Sequence, residues 1–252
     1  MTLPTQQRTP TGAGSPTVVL VHGSWADASS WNGVLNKLHH AGFAVLAPPN
    51  HLRSLAADAA SVRAFVDAIP GPVVLVGHSY GGAVITNAAT GAANVEALVY
   101  VNAFMPDEGE NVTALAGPDS SLSADPTTVF DLVPPVFPPT PDTEVYLKPD
   151  TVRNSFAIGL HNPVKAQIAA TQRPATLAAL NEPSGPPAWR SVRSWAFIGT
   201  EDLIIPPDVQ RSMASRAGAT VTEVHAGHLG LMTEPRAVAK VIEHATSAVV
   251  AR

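Results

Sequence analysis

From Thr17 almost to the end of the chain, short apolar runs alternate with segments of helical spacing, and this alternation constrains the fold more than any other feature. The runs fall at residues 18–21, 43–47, 73–76, 97–101, 195–198 and 221–224, and most are rich in valine and isoleucine. Those without polar alternation have the pattern of strands covered on both faces, as in a parallel sheet. Between the runs, apolar residues recur at intervals of three and four: Trp31, Val34, Leu35 and Leu38; then Leu55, Ala59, Val62, Phe65 and Val66; then residues 83–89 and 209–216; finally Val238, Val241 and Ile242. Such spacing gives a helix one buried face. Parallel neighbours need a crossover, which a helix supplies, so the order strand, helix, strand predicts an α/β fold with a doubly wound, mostly parallel sheet.

Residues 103–190 interrupt the alternation, with 14 of the 24 prolines in 88 of the 252 positions. Proline cannot donate to a ladder, so no sheet strand is expected to run through 133–142, where Pro134, Pro135, Pro138, Pro139 and Pro141 crowd together. The segment is expected to lie over the strand ends as an inserted cap, with helical pieces near 151–160 and 164–180. The organisation that follows is a loose polar arm over 1–16, a core over 17–102 and 191–252, and a cap over 103–190. No internal repeat is visible, and low complexity is confined to the proline-rich turn.

Composition removes several classes of function. With no cysteine, disulfides, thiolate metal sites and a cysteine nucleophile are excluded together, so a nucleophile has to be an oxygen or a lysine. A net charge of −5 without any run of lysine or arginine makes nucleic acid an unexpected partner. No apolar run approaches the roughly 18 residues of a membrane span, and the first residues lack the basic start and apolar stretch of a secretory signal. A cytoplasmic protein, monomeric or homodimeric and without membrane contact, is the expectation. Asn111-Val112-Thr113 fits the glycosylation pattern but has no chemistry to report without a secretory route.

Gly77-His78-Ser79-Tyr80-Gly81 matches G-x-S-x-G, a strained turn that exposes a serine between a strand and a helix. The strand at 73–76 leads into it and small residues (Gly82, Ala83, Ala88, Ala89) lead out, as the motif requires. Serine is a weak nucleophile without a base, and imidazole is the base suited to neutral pH. His225 and His228 follow the last strand; His228, after a glycine that can set the loop, is the candidate base, with His225 packed or solvated. The imidazole needs a carboxylate to fix its tautomer. Asp202, after the strand at 195–198, is the choice; Asp107 is the rival, and Asp208 reads as a first-turn helix charge.

A tetrahedral oxyanion needs two preorganised donors. The backbone N–H of Tyr80, at a helix start, and that of Ser24, in the loop after the first strand, are the candidates. His22 reads as a buried prop for that loop, His78 as a residue packed inward, and the Ser24 hydroxyl as either a substrate contact or a turn hydroxyl. Apolar residues expected at the substrate are Trp25 and Leu229 beside the motifs, with Phe104, Leu132, Val133, Val136, Phe137, Tyr146 and Leu147 from the cap. No arginine or lysine cluster stands near the motifs, so small to medium neutral molecules are expected. No G-x-G-x-x-G follows a strand, and P-loop, H-E-x-x-H and EF-hand patterns are missing; neither metal nor cofactor is expected.

Taken together, VVLVHGSW, VVLVGHSYGG, FIGTEDLIIPP and AGHLGLMTEP resemble the α/β-hydrolase superfamily over roughly residues 17–250. Within it the chain is similar to small bacterial esterase-like hydrolases akin to plant methyl esterases and hydroxynitrile lyases, with 170–187 and Trp189 carrying the bacterial likeness. The resemblance implies a triad of Ser79, Asp202 and His228 with Ser24 and Tyr80 as oxyanion donors. It also implies a carboxylesterase acting on a small-molecule ester through an acyl-enzyme. Leu229 stands where the related lyases carry a lysine, which disfavours lyase chemistry. Ser79 stands where epoxide hydrolases and haloalkane dehalogenases carry an aspartate, which excludes theirs. Too few residues precede Thr17 for the antiparallel strands that open larger members, so about six strands are expected. The alternatives are a cofactor-free perhydrolase or carbon–carbon bond hydrolase, and a non-enzymatic small-molecule receptor.

Overall fold

The computed structural model describes residues 15–250, so the arm expected over 1–16 lies outside the described residues except for its last two. Among the described residues nine strands form two sheets: β1 (Thr17–Val21), β2 (Ala44–Leu46), β3 (Val73–Ser79), β4 (Val95–Ala103), β5 (Phe130–Val133), β6 (Glu144–Leu147), β7 (Ala175–Thr176), β8 (Arg193–Gly199) and β9 (Thr220–Val224). The larger sheet has the order β2-β1-β3-β4-β8-β9, parallel throughout. Its six strands are the six apolar runs. Every residue of β3 is buried, as a central strand with helices on both faces must be, while β9 at the edge is largely exposed.

Helices α1 (Asn32–His40), α2 (Leu55–Asp67), α3 (Tyr80–Ala88), α4 (Pro207–Arg216) and α5 (Pro235–Val250) make the crossovers and close the chain. The first and last of these pack on each other, and α2 packs on α3. Right-handed crossovers put a helix on one face when the chain moves from β1 out to β2, and on the other face when it returns to β3. The strand order therefore switches between β1 and β3. Ligands in open α/β sheets bind outside the carboxyl ends of the strands at such a switch, here the loop after Val21 and the end of β3 at Ser79.

Between β4 and β8 the chain leaves the sheet. Strands β5, β6 and β7 form an antiparallel sheet that the sequence reading did not anticipate, and the proline-rich stretch is the connection from β5 to β6. The helix expected over 164–180 is two helices, Asn162–Thr171 and Leu177–Asn181, parted by Gln172, Arg173, Pro174 and β7. Pro174 causes the break, because it lacks an N–H and biases the residue before it away from helical conformation. Backbone groups tie this region to the loops of the larger sheet: Thr176 N–H donates to the Leu52 carbonyl at 3.0 Å, Trp25 N–H to that of Arg173 at 2.9 Å, and Ser121 N–H to that of Leu203 at 2.8 Å. No helix among the described residues is long and apolar enough to cross a membrane.

Candidate active site

β3 runs directly into α3, and Ser79 at the junction has φ 52° and ψ −125°. A β-carbon-bearing residue is strained there, and such strain persists where the surroundings enforce it. Gly77 is part of that enforcement: a Cβ at this position would lie 2.5 Å from the Gly81 carbonyl oxygen, so only glycine lets strand and helix approach this closely. Tyr80 opens α3, and its backbone N–H, in the first turn, has no acceptor within the helix. The Tyr80 side chain points the other way and donates to Asp58 Oδ2 at 2.8 Å. Burial raises both groups above their ordinary ranges, the Asp58 carboxyl and the Tyr80 phenol.

His228, fully buried, sits in the loop after β9 with Nε2 2.9 Å from Ser79 Oγ. Its Nδ1 lies 2.9 Å from Asp202 Oδ2 and 3.1 Å from Oδ1. The carboxylate can only accept, so Nδ1 carries the proton and Nε2 is left free to accept from the Ser79 hydroxyl. Asp202 is itself held on every side. Oδ1 accepts from the backbone N–H groups of Ile204 at 2.8 Å and Ile205 at 3.0 Å; Oδ2 accepts from Asn102 Nδ2 at 3.0 Å and Gln210 Nε2 at 2.9 Å. Gln210 is anchored in turn by donating to the Ile205 carbonyl at 2.7 Å.

Asn102 and Gln210 were missed from the sequence. Asn102 carried a signal, a polar residue just after the apolar run 97–101, but only the register of β4 beside β8 shows what it holds. His78 is a third missed contact. It packs inward as expected, yet its Nε2–H donates to the His228 carbonyl at 3.0 Å and so fixes the backbone that carries the imidazole. Burial pushes the His78 imidazole well below its ordinary pKa, and that of His22 below it as well. His22 props the first loop as read: Asn50 N–H donates to its Nε2 at 3.0 Å, and its Nδ1–H donates to the Gly23 carbonyl at 2.9 Å.

That loop is pressed against the elbow. A Cβ on Gly23 would fall 2.6 Å from Ser79 Cβ and 2.8 Å from the His78 carbonyl oxygen, so Ser24 follows a point of contact with the serine itself. The rival residues lie elsewhere. Asp107 pairs with Arg190 at 2.5 Å on the surface, the His225 side chain is exposed beside Glu201, and Asp208 in the first turn of α4 pairs with Arg211. Among the described residues no group of three or more histidine, aspartate or glutamate side chains could hold a metal ion.

Ser24, Ser79 and Tyr80 border a cavity of about 530 Å³. Of the residues expected at the substrate, Trp25, Phe104, Leu132 and Phe137 line this cavity, with Phe137 at its rim and 91% exposed. Phe130, Val145, Leu177 and Ile204 were not anticipated as lining residues. Five expected residues lie outside the lining. Tyr146 alternates with Val145 along β6, so it faces away and bonds Glu144. Val136 projects from the tip of the proline-rich connection into solvent, and Val133 and Leu147 are likewise outside the lining. Leu229, next to the inward-turned His228, borders a separate crevice of about 60 Å³ with Phe156 and Met232. Among the described residues no charged side chain lines the large cavity. Of its polar side chains, Thr113, Thr127 and Asn181 are bonded to neighbours within the protein.

This sheet, elbow and buried serine, histidine and aspartate define a class: a model of the α/β-hydrolase family matches residues 18–241, and the chain belongs to that family. It is an enzyme of the hydrolase type, with an esterase among its relatives. The carbendazim-hydrolysing esterase of Nocardioides sp. (strain SG-4G) is 34% identical over 110 residues, which cover 38% of this chain and 46% of that protein, so the match spans less than half of that relative. The α/β-hydrolase nvfD of Aspergillus novofumigatus (strain IBT 16806) is 24% identical over 91% of this chain and 96% of its own. Among solved structures, an extracellular α/β-hydrolase from a Paenibacillus species, described as homologous to tobacco salicylic acid binding protein 2, superposes with a TM-score of 0.77. It is 21% identical over 91% of this chain and 98% of that one, a likeness of fold.

Proposed function

We propose that this chain is a serine carboxylesterase acting on small to medium neutral esters, with Ser79 as nucleophile, His228 as general base and acid, and Asp202 as the group that orients the imidazole. The observation that carries this reading is the unbroken line from Ser79 Oγ through His228 to Asp202, both contacts at 2.9 Å, beside an apolar cavity. Ser79 Oγ attacks the ester carbonyl carbon while its proton passes to His228 Nε2, and the carbonyl π electrons move onto oxygen. The backbone N–H groups of Ser24 and Tyr80 receive that oxyanion. Collapse re-forms the carbonyl and expels the alcohol, which takes the proton from His228. Water then repeats the sequence on the acyl-enzyme: it gives a proton to His228, attacks the carbonyl, and releases the acid and the Ser79 hydroxyl. No step calls for a metal or cofactor.

Residues 103–190 act in this reading as the cap that shapes the cavity. An uncharged lining offers an anionic substrate no partner, and desolvating a charge there without one is costly. Turnover of p-nitrophenyl acetate and butyrate tests the reading, with Ser79→Ala as control. Hydrolysis by the wild type and its loss in the variant are expected. An inert wild type, or a variant that keeps its rate, would overturn it.

A further inference from the structure

Ser24 carries an unused group. It borders the cavity and is only 1% exposed, and its hydroxyl makes no hydrogen bond to any group among the described residues. Neighbouring side chains each hold a partner through at least one atom: Ser79 with His228, Tyr80 with Asp58, His78 with the His228 carbonyl, and Asn102 and Gln210 with Asp202. Asn102 Oδ1 and His78 Nδ1 have none, but of the three orphan atoms only Ser24 Oγ belongs to a residue that borders the cavity. Buried hydroxyls are normally bonded, so one without a protein partner beside a nucleophile points to a partner that arrives with the substrate.

We propose that the Ser24 hydroxyl is a third oxyanion donor, acting with the backbone N–H groups of Ser24 and Tyr80; this rests on the esterase reading above. In either gauche rotamer a serine oxygen sits within roughly 3 Å of its own nitrogen, so an oxygen bonded to the Ser24 N–H is also within reach of the Ser24 O–H. The neighbouring Gly23 packs so closely on Ser79 that a Cβ there would fall 2.6 Å from Ser79 Cβ, and Ser24 and Ser79 border the same cavity, where the attacked carbonyl would lie. A hydroxyl rotates freely, and a fully charged oxygen rewards its alignment more than a ground-state carbonyl does. The contact therefore strengthens as the tetrahedral species forms, and it acts on kcat more than on KM.

The experiment compares wild type, Ser24→Ala and Ser24→Thr on p-nitrophenyl butyrate, with thermal melts and the affinity of an alkyl boronic acid that forms a tetrahedral adduct on serine. Ser24→Ala keeps the backbone N–H. It is expected to lower kcat on the order of 10², with KM within about twofold, boronate affinity falling in parallel and Tm unchanged or higher. Ser24→Thr is expected to restore most of the rate. A kcat for Ser24→Ala within about twofold of wild type would overturn the proposal, as would a loss of kcat that tracks a fall in Tm and is not rescued by threonine. Ser79→Ala separates the two levels: if it abolishes turnover while Ser24→Ala is silent, only the third donor fails, and if it keeps turnover the esterase mechanism itself fails.

Discussion

Asp202→Asn replaces one carboxylate oxygen by NH₂, and its outcome can be worked from the five N–H groups that surround the carboxylate. An asparagine must place its NH₂ on one side or the other. At the Oδ1 position it would face the backbone N–H groups of Ile204 and Ile205, which cannot turn away. At the Oδ2 position it would face Asn102 and Gln210. Asn102 can rotate its amide, because its oxygen has no protein partner to lose. Gln210 cannot do so without setting its oxygen against the Ile205 carbonyl, to which it now donates at 2.7 Å. The second orientation is the less costly, with one buried polar group left unmet at about 1 to 3 kcal/mol. For a chain of this size that corresponds to a fall in Tm of roughly 2 to 12 °C. In the same orientation the NH₂ faces His228 Nδ1, which then accepts, and the proton moves to Nε2, where it faces Ser79 as a donor. The wrong tautomer costs a serine triad about 10⁴ in kcat. Asp107→Asn is the control: its surface pair with Arg190 is worth at most about 1 kcal/mol, and its rate should match wild type. Steady-state kinetics on p-nitrophenyl butyrate with thermal melts of all three proteins decide the matter. A kcat for Asp202→Asn within tenfold of wild type, or a larger loss in Asp107→Asn, would refute the assignment of the acid.

Across neutral and anionic esters of matched length, kcat/KM should favour the neutral series, because no cation among the described residues lines the cavity; a tenfold preference for the anionic series would contradict this reading of the lining. Burial holds the His78 imidazole well below its ordinary pKa of 6.5, so below that pH the unfolded chain binds more protons than the folded one. Stability from this group is therefore present above about pH 6.5 and is lost as pH falls, by up to about 1.4 kcal/mol per unit. Urea melts of wild type and His78→Gln from pH 7.5 to 5 should show the gap between them closing as pH falls, and parallel curves would contradict it.

The large sheet was legible because strands buried on both faces are written as continuous apolar runs, and nothing in 18–21 or 73–76 competes with that reading. The small sheet was not. Its strands are two to four residues long, β5 and β6 flank five prolines, and Ala175–Thr176 gains its identity only by pairing with Glu144 and Val145. Tyr146 shows the cost: without β6 in view, its alternation with Val145 is invisible and a large apolar ring reads as a lining residue. Ser79, His228 and Asp202 stand at motif positions after strand ends, where local sequence carries chemical meaning, and the structure brings these three side chains together. Asn102, Gln210 and His78 act through partners 8 to 150 residues away in sequence, and an amide or an imidazole announces no partner of its own.

The measurement that bears most directly on the central claim is covalent labelling with an alkyl fluorophosphonate, followed by peptide mass spectrometry. The account predicts one phosphonyl group per chain, attached to Ser79, with loss of esterase activity in proportion to labelling and no incorporation into Ser79→Ala. Stoichiometric labelling at any other residue, or full labelling that leaves ester turnover intact, would contradict it.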